Sequence, residues 1–294
     1  MIYDLRFRIW LKRAALALLL LATFNLQLST GLAATTIDPA NRYAYGANIG
    51  WMDWRGDTTS GAVIGEYVCT GSIYSANVGW INLGSGVPVN QIQYQNNSAA
   101  DFGVNHDGLG NLTGYAYGAN IGWINFEATG APKVDLLTGN LSGSVWSANC
   151  GWISLSNAIA FVQTTNIQKA PLAPNGLPIA WLLQNFGTTN VNANADADGD
   201  KVSNGNEYLA GTNPNNAANV LKITSINRAS PNTALAWNSV STRFYAVQTN
   251  NALGTGLWGD YATLNLAGWS SMSVADTTAS NRFYRVRAYR PLTP

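Results

Sequence analysis

Charge is scarce in this chain. Asp, Glu, Lys and Arg make up 11% of its 294 residues, less than half of the roughly 25% usual in soluble domains. That scarcity argues against long solvent-facing helices. It also argues against a nucleic-acid surface, which needs a dense basic patch. Histidine is scarcer: His106 is the only one. A Ser-His-acid site would have to use it, yet it stands in the turn sequence Asn105-His106-Asp107-Gly108 with no nucleophile motif beside it. A His-based zinc site is equally starved of ligands. Glu66, Glu127 and Glu207 are the only glutamates. A glycosidase pair could be drawn from Asp53, Asp57, Glu66, Asp101, Asp107, Glu127 and Asp135, but no spacing among them selects two. These shortages point to a non-catalytic protein. Beyond residue 24 no apolar run is long enough to span a bilayer.

Glycine (29), tryptophan (11) and tyrosine (13) are plentiful, a composition suited to short strands and turns. At 47% hydrophobic the chain can bury a core. Arg6, Arg8, Lys12 and Arg13 form a positive segment before an apolar stretch over residues 14–24, and Gly31-Leu32-Ala33-Ala34 offers small residues for cleavage. Residues 1–34 therefore read as a signal peptide, leaving a mature protein that is secreted or at the cell surface. Losing its four basic residues and one acid takes the formal net charge from +1 to −2. Residues 35–160 carry three basic and eight acidic residues, and residues 216–294 carry seven basic and two acidic ones. Such an uneven field could orient the molecule on a charged surface.

Four segments align without gaps: residues 43–52, 72–81, 115–124 and 144–153, each built on Ala-Asn-x-Gly-Trp. Their asparagines are Asn48, Asn77, Asn120 and Asn149, so copies one and three, and copies two and four, lie 72 residues apart. Copies one and three share Tyr-Ala-Tyr-Gly, and copies two and four share Ser after the aromatic residue, which marks a duplicated pair. Each copy reads as a β-hairpin: a strand such as 112–117, a turn at Gly118-Ala119-Asn120, and a strand 121–126. A further strand is expected before each hairpin, as at 102–105 and 133–136.

Period-2 alternation sorts the faces. Leu112, Gly114 and Ala116 share one face with Ile124 and Phe126 across the hairpin, and this is a core. Thr113, Tyr115, Tyr117, Trp123, Trp146 and Trp152 belong to the other face, interleaved with hydroxyls and amides. A lone hairpin is marginal, so the expectation is that these rings pack repeat against repeat. The alternative is an open platform of Tyr117, Trp123, Trp146 and Trp152 for stacking on sugars or gripping another surface. Cys69 takes the position of Leu112 and Leu141, and Cys150 that of Ile49, Val78 and Ile121. That fits a disulfide between copies two and four or two buried thiols; export favours the disulfide.

Residues 161–178, with Pro171, Pro174 and Pro178, read as a linker, followed by a short helix over 178–186 ended by Gly187. Then comes Asp196-Ala-Asp-Gly-Asp-Lys-Val-Ser-Asn-Gly-Asn-Glu207. Asp196, Asp198 and Asp200 fall at loop positions 1, 3 and 5, the Val202 carbonyl at 7, Asn204 at 9 and Glu207 at 12, the ligand spacing of an EF-hand-type calcium loop. Lys201 stands at position 6, where glycine normally makes the sharp turn, which predicts weak affinity in the extracellular range. The stretch Leu177–Pro214 resembles the thrombospondin type 3-like calcium repeats of secreted bacterial proteins and is similar to dockerin-type loops. The resemblance implies calcium held by Asp196, Asp198, Asp200 and Glu207.

Residues 216–294 alternate as strands at 220–226, 233–237, 244–249, 271–275 and 283–288. The aromatic positions of Leu235-Ala-Trp237, Phe244-Tyr-Ala-Val247 and Phe283-Tyr-Arg-Val-Arg-Ala288 resemble a shortened fibronectin type III-type β-sandwich, with Trp237 as the core ring. Arg282, Arg285 and Arg287 give the last strand a basic outer face, read as a solvated edge. The expected fold is mainly β: a repeat domain at 35–160, linker at 161–178, helix and calcium loop at 179–215, and sandwich at 216–294. The functional expectation is an exported, non-catalytic protein that binds or coats a surface, with calcium stiffening the joint. The competing reading is a carbohydrate-binding module using the Tyr/Trp face, and a polysaccharide hydrolase is third. An extracellular polymer or glycan is the expected partner, with no nucleic acid and no transmembrane segment after signal removal.

Overall fold

A computed structural model describes residues 35–56, 59–229, 231–252, 257–264, 270–278 and 282–293, so the signal-peptide reading lies outside the described residues. The chain is mainly β. Its first fourteen strands are β1 (Ile37–Gly46), β2 (Gly50–Asp53), β3 (Val63–Ile64), β4 (Cys69–Thr70), β5 (Ser72–Ser75), β6 (Gly79–Asn82), β7 (Val104–His106), β8 (Leu112–Gly118), β9 (Gly122–Phe126), β10 (Lys133–Val134), β11 (Leu141–Ser142), β12 (Ser144–Ser147), β13 (Gly151–Ser154) and β14 (Val162–Thr164). The four Ala-Asn-x-Gly-Trp segments form the hairpins β1–β2, β5–β6, β8–β9 and β12–β13. Each turn is a three-residue loop followed by a glycine in the left-handed region: Gly50, Gly79, Gly122 and Gly151 have φ of 74°, 79°, 70° and 77°. A type I turn followed by such a residue matches the twist of the two strands, and glycine takes that conformation without strain.

The hairpins then pair edge to edge: β2 with β5, β6 with β8, β9 with β12, and β13 back with β1. Eight strands thereby close into a ring, which leaves no unpaired hairpin edge. The repeat asparagines staple one mouth of the ring. Asn77 Nδ2 donates to the Ile49 carbonyl (3.0 Å), Asn120 to Val78 (3.1 Å), Asn149 to Ile121 (3.0 Å), and Asn48 closes the circuit onto Cys150 (3.0 Å).

Inside, side chains stack in layers. Ile49, Val78, Ile121 and Cys150 plug the stapled mouth. Below them, Ala44 faces Met52, Ile73 faces Ile81, Ala116 faces Ile124 and Val145 faces Ile153, all buried. Trp54, Leu83, Phe126 and Leu155 form the base, with the Trp54 and Phe126 rings edge-to-face at 6.4 Å. Copies one and three are small near the mouth (Gly46, Ala44; Gly118, Ala116) and large at the base, whereas copies two and four put Ser and Ile or Val above Leu. The two hairpin types fill each other's gaps, as close packing requires, so the duplicated pair is the unit that packs.

The expected disulfide is not formed: Cys69 and Cys150 are free, buried thiols. Cys150 belongs to the mouth plug, while Cys69 lies in β4 opposite Ile64, and each serves as an apolar side chain at a position that holds Leu, Ile or Val in other copies. Burial pushes the Cys69 thiol up to about 12.

The stretch read as a linker begins inside the sheet, because β14 pairs with β1 and Val162 is fully buried. Two helices follow, α1 (Ile179–Phe186) and α2 (Asn204–Ala210), ended by Gly187 and Gly211 in left-handed conformation. Leu177, Trp181, Leu182 and Tyr208 form their shared core. The last strands are β15 (Ile223–Ala229), β16 (Asn232–Asn238), β17 (Phe244–Asn250), β18 (Gly259–Leu264), β19 (Ser271–Asp276) and β20 (Phe283–Tyr289). They make two three-stranded sheets, β15-β16-β19 and β18-β17-β20. Trp237, Tyr245 and Val247 are the buried centre. Strand β18 is absent from the sequence reading, its apolar alternation being too short to register.

Candidate functional site

Strand alternation and ring closure together force the repeat aromatics outward. The rings do not pack repeat against repeat, as expected from the sequence; Trp51, Trp80, Trp123 and Trp152 are 44–47% exposed. The physical reason is closure: the interior is already filled by the opposite face of every strand. Each tryptophan instead leans on the aromatic residue directly across its own hairpin. The pairs are Tyr45–Trp51, Tyr74–Trp80, Tyr117–Trp123 and Trp146–Trp152, with ring centroids 4.9, 5.0, 4.9 and 5.1 Å apart. Their interplanar angles are 59°, 58°, 59° and 61°. The sequence-predicted residues Tyr117, Trp123, Trp146 and Trp152 are thus two neighbouring pairs. The other two pairs, in copies one and two, were legible from the same repeat positions.

Loops back the rings. Phe102 packs edge-to-face on Trp123 at 5.0 Å. Gly130 leaves room for Trp152, since a Cβ there would fall 2.9 Å from the ring. Between successive pairs stand Asp53, Asn82, Asn125 and Ser154, cross-strand from Tyr74, Tyr117, Trp146 and Tyr45. Ser72 donates to Asn82 (2.8 Å), and Asn125 bonds Glu127. Asp53 is balanced by Arg42 at 3.5 Å. The belt is aromatic, rich in amides and hydroxyls, and carries little net charge.

The second site is the acidic loop before α2. Asp196, Asp198 and Asp200 can bring one carboxylate oxygen each within 4.8 Å of one another. Backbone N–H groups curl the loop around them: Gly199 and Lys201 donate to Asp196 (2.7 and 2.8 Å), and Val202 donates to Asp200 (2.7 Å). Ser203 caps α2, which carries Asn204 and Glu207, both buried. Asp198 Oδ2, Asp200 Oδ2, Asn204 Oδ1 and Glu207 Oε2 are buried without a hydrogen-bond partner. Burial, Asp198 and Asp200 push the Glu207 carboxyl up to about 7. Unpartnered buried oxygens are costly, and a hard cation with six to eight oxygen ligands is the chemistry that satisfies them. Lys201 has φ of 75° and is exposed, so the sharp turn survives without glycine and the ammonium points to water.

Helix α2 is also a junction. The Tyr208 hydroxyl donates to Glu66 in the turn between β3 and β4 (3.1 and 3.2 Å). Arg290 pairs with Glu66 at 3.1 Å and lies over the Tyr208 ring. Arg243 donates to the terminal carbonyls of α2, at Tyr208 (2.7 Å) and Leu209 (2.8 Å). These partners are far apart in sequence, and no local signal announces them. The junction walls a cavity of about 240 Å³.

His106 lines that cavity, buried, with Nδ1 on the Gly65 carbonyl at 2.9 Å, and burial lowers its pKa. The acids considered for catalysis hold structure. Asp101, Asp107 and Asp135 accept backbone N–H bonds in turns. Asp53, Glu66 and Glu127 have the partners given above, and Asp57 lies outside the described residues. Just before β20 Arg282 pairs with Asp276, and on the strand Arg285 stacks on Trp258 and bonds Gln248 and Arg287 stacks on Tyr289. Among the described residues no helix is long and apolar enough to cross a membrane. No family model, curated protein or solved structure matches the chain.

Proposed function

We propose that this is an exported, non-catalytic, calcium-stabilised binding protein that grips an extracellular polymer through its aromatic belt. Its finer architecture is read as a tandem hairpin repeat domain joined by a calcium loop to a small C-terminal β-sandwich. One observation carries the binding reading: eight aromatic side chains, paired across four hairpins, stay 36–47% exposed around the ring. Amphipathic rings left at a surface mark contact sites. Their amide and hydroxyl surroundings favour a carbohydrate over a protein partner.

Calcium supports this indirectly. Asp196, Asp198, Asp200, the Val202 carbonyl, Asn204 and Glu207 would hold the ion, which supplies charge neutralisation for the crowded carboxylates and fixes α2. That helix presents Tyr208 to Glu66 and its C-terminus to Arg243, so ordering the loop orders the joint. Replacing Lys201 by Gly removes the cost of a left-handed lysine, about 1 kcal/mol, and is expected to tighten calcium binding severalfold in calorimetric titration. Unchanged affinity would place the strain elsewhere.

The direct test is retention on insoluble polysaccharides such as cellulose and chitin. The double variant Trp123→Ala/Trp152→Ala should keep its circular dichroism spectrum and bind more weakly. If it unfolds, the rings are structural; if it is retained like the parent, the belt is not the contact surface.

A further inference from the structure

The belt is not one platform but the same small site built four times. We infer that the hairpin ring is tetravalent, with four equivalent subsites for a neutral, flat-faced glycan, one per hairpin; this rests on the carbohydrate reading of the belt. Equivalence follows from geometry: the four ring pairs agree within 0.2 Å in separation and 3° in tilt, and their tryptophans are exposed to the same degree. Two half-exposed rings inclined at about 60° enclose a shallow wedge, which in this reading offers one ring for stacking and its mate as a side wall.

Neutrality follows from the surroundings. The cross-strand partners next to the pairs are Ser72 with Asn82, Tyr115 with Asn125, and Ser144 with Ser154. Of the two carboxylates beside the pairs, Asp53 is compensated by Arg42 and Glu127 is engaged by the Asn125 amide, and among the described residues no basic residue stands at each wedge to hold a polyanion. Hydroxyl-rich sugars are served by amides and hydroxyls, whereas a polyanion would need free cations at each wedge. Gluco-configured, β-1,4-linked chains offer flat C–H faces for stacking.

Separateness follows from closure. Successive pairs lie two strands apart around a closed, convex wall, and a stiff glycan meets such a wall along a tangent. One chain therefore occupies one wedge, and one protein molecule gathers several chains. Linked sites of modest individual affinity gain strength on a polymer through effective concentration.

The test is a count of responding tryptophans. In the calcium-loaded full chain, indole N–H resonances are followed by nuclear magnetic resonance during titration with cellotetraose and with chitotetraose. Those of Trp51, Trp80, Trp123 and Trp152 should all shift with a common midpoint, while buried Trp54 and Trp237 stay still. Trp123→Ala, and independently Tyr74→Ser, should each silence their own pair and leave the others unchanged. On soluble hydroxyethyl cellulose or glycol chitin the parent should cross-link the polymer, and each lost pair should lower its apparent affinity severalfold without abolishing it. A single responding tryptophan, or one variant that abolishes all binding, would overturn tetravalency and leave a one-site glycan reading. No shift with either sugar and no retention on the insoluble polymers would remove the glycan reading as well. Self-association abolished by Trp123→Ala would assign the belt to a second copy of this chain and overturn both.

Discussion

Stripping calcium with a chelator is expected to lower the melting temperature by about 5–10 °C relative to 10 mM calcium. The estimate assumes a dissociation constant of about 0.1 mM, typical of weak extracellular sites. Ion at a hundredfold excess over that constant stabilises the native state by about 2.7 kcal/mol, and a chain of this size shifts by roughly 2–4 °C per kcal/mol. Asp198→Ala should abolish the increment, because it removes a carboxylate from the triad Asp196, Asp198 and Asp200. A calcium-insensitive melting curve for the parent protein would refute the site.

The increment should also depend on pH. Glu207 is held at about 7, above its ordinary 4.5. Below 4.5 both folded and unfolded chains carry the proton. Between 4.5 and about 7 the metal-free native state keeps a proton that the unfolded chain has released, so stability falls as pH rises through that window. A bound cation favours the carboxylate and cancels that loss. The calcium-dependent rise in melting temperature should therefore be larger at pH 8 than at pH 5. An equal rise at both would mean that Glu207 does not face the ion.

The second large effect separates two tryptophans three positions apart in equivalent repeats. Trp54→Ala should cost about 3–5 kcal/mol, because Trp54 fills the base of the ring beneath Ala44 and Met52, packed on Phe126. Trp123→Ala should cost about 1 kcal/mol, the worth of its contacts with Tyr117 and Phe102. Urea denaturation followed by far-ultraviolet circular dichroism measures both. Trp54→Phe is expected to be much milder than Trp54→Ala, because it retains a ring and removes an indole N–H that lacks a buried partner. Similar losses for Trp54→Ala and Trp123→Ala would overturn the inside-outside assignment on which the belt depends.

Much of this architecture is legible in local sequence because its causes are local. Ala-Asn-x-Gly dictates a tight turn ending on a left-handed residue, and Gly50, Gly79, Gly122 and Gly151 are where that conformation occurs. Alternation places Ile124 with Phe126 and Trp123 with Asn125, as the structure does. The acidic loop is readable for the same reason: twelve consecutive residues supply the carboxylates, the turn and the start of α2. Long-range partners are not readable. Nothing near Glu66 announces Tyr208 or Arg290, and nothing near β14 distinguishes a linker from a strand that pairs with β1.

The aromatic repeat marks the boundary between the two kinds of information. By itself the sequence determined that each hairpin has an Ala/Ile/Phe face and a Tyr/Trp face, because strand geometry allows only two. It could not say whether the Tyr/Trp face also meets water, since an open stack of hairpins would bury the rings against the next copy. Tertiary structure decided that through one pairing, Tyr45 with Ser154 and Gly46 with Ile153. Once β13 returned to β1, the enclosed volume suited only the smaller side chains, complemented by Trp54 and Phe126 at the base. The larger pairs had only the outside left to occupy.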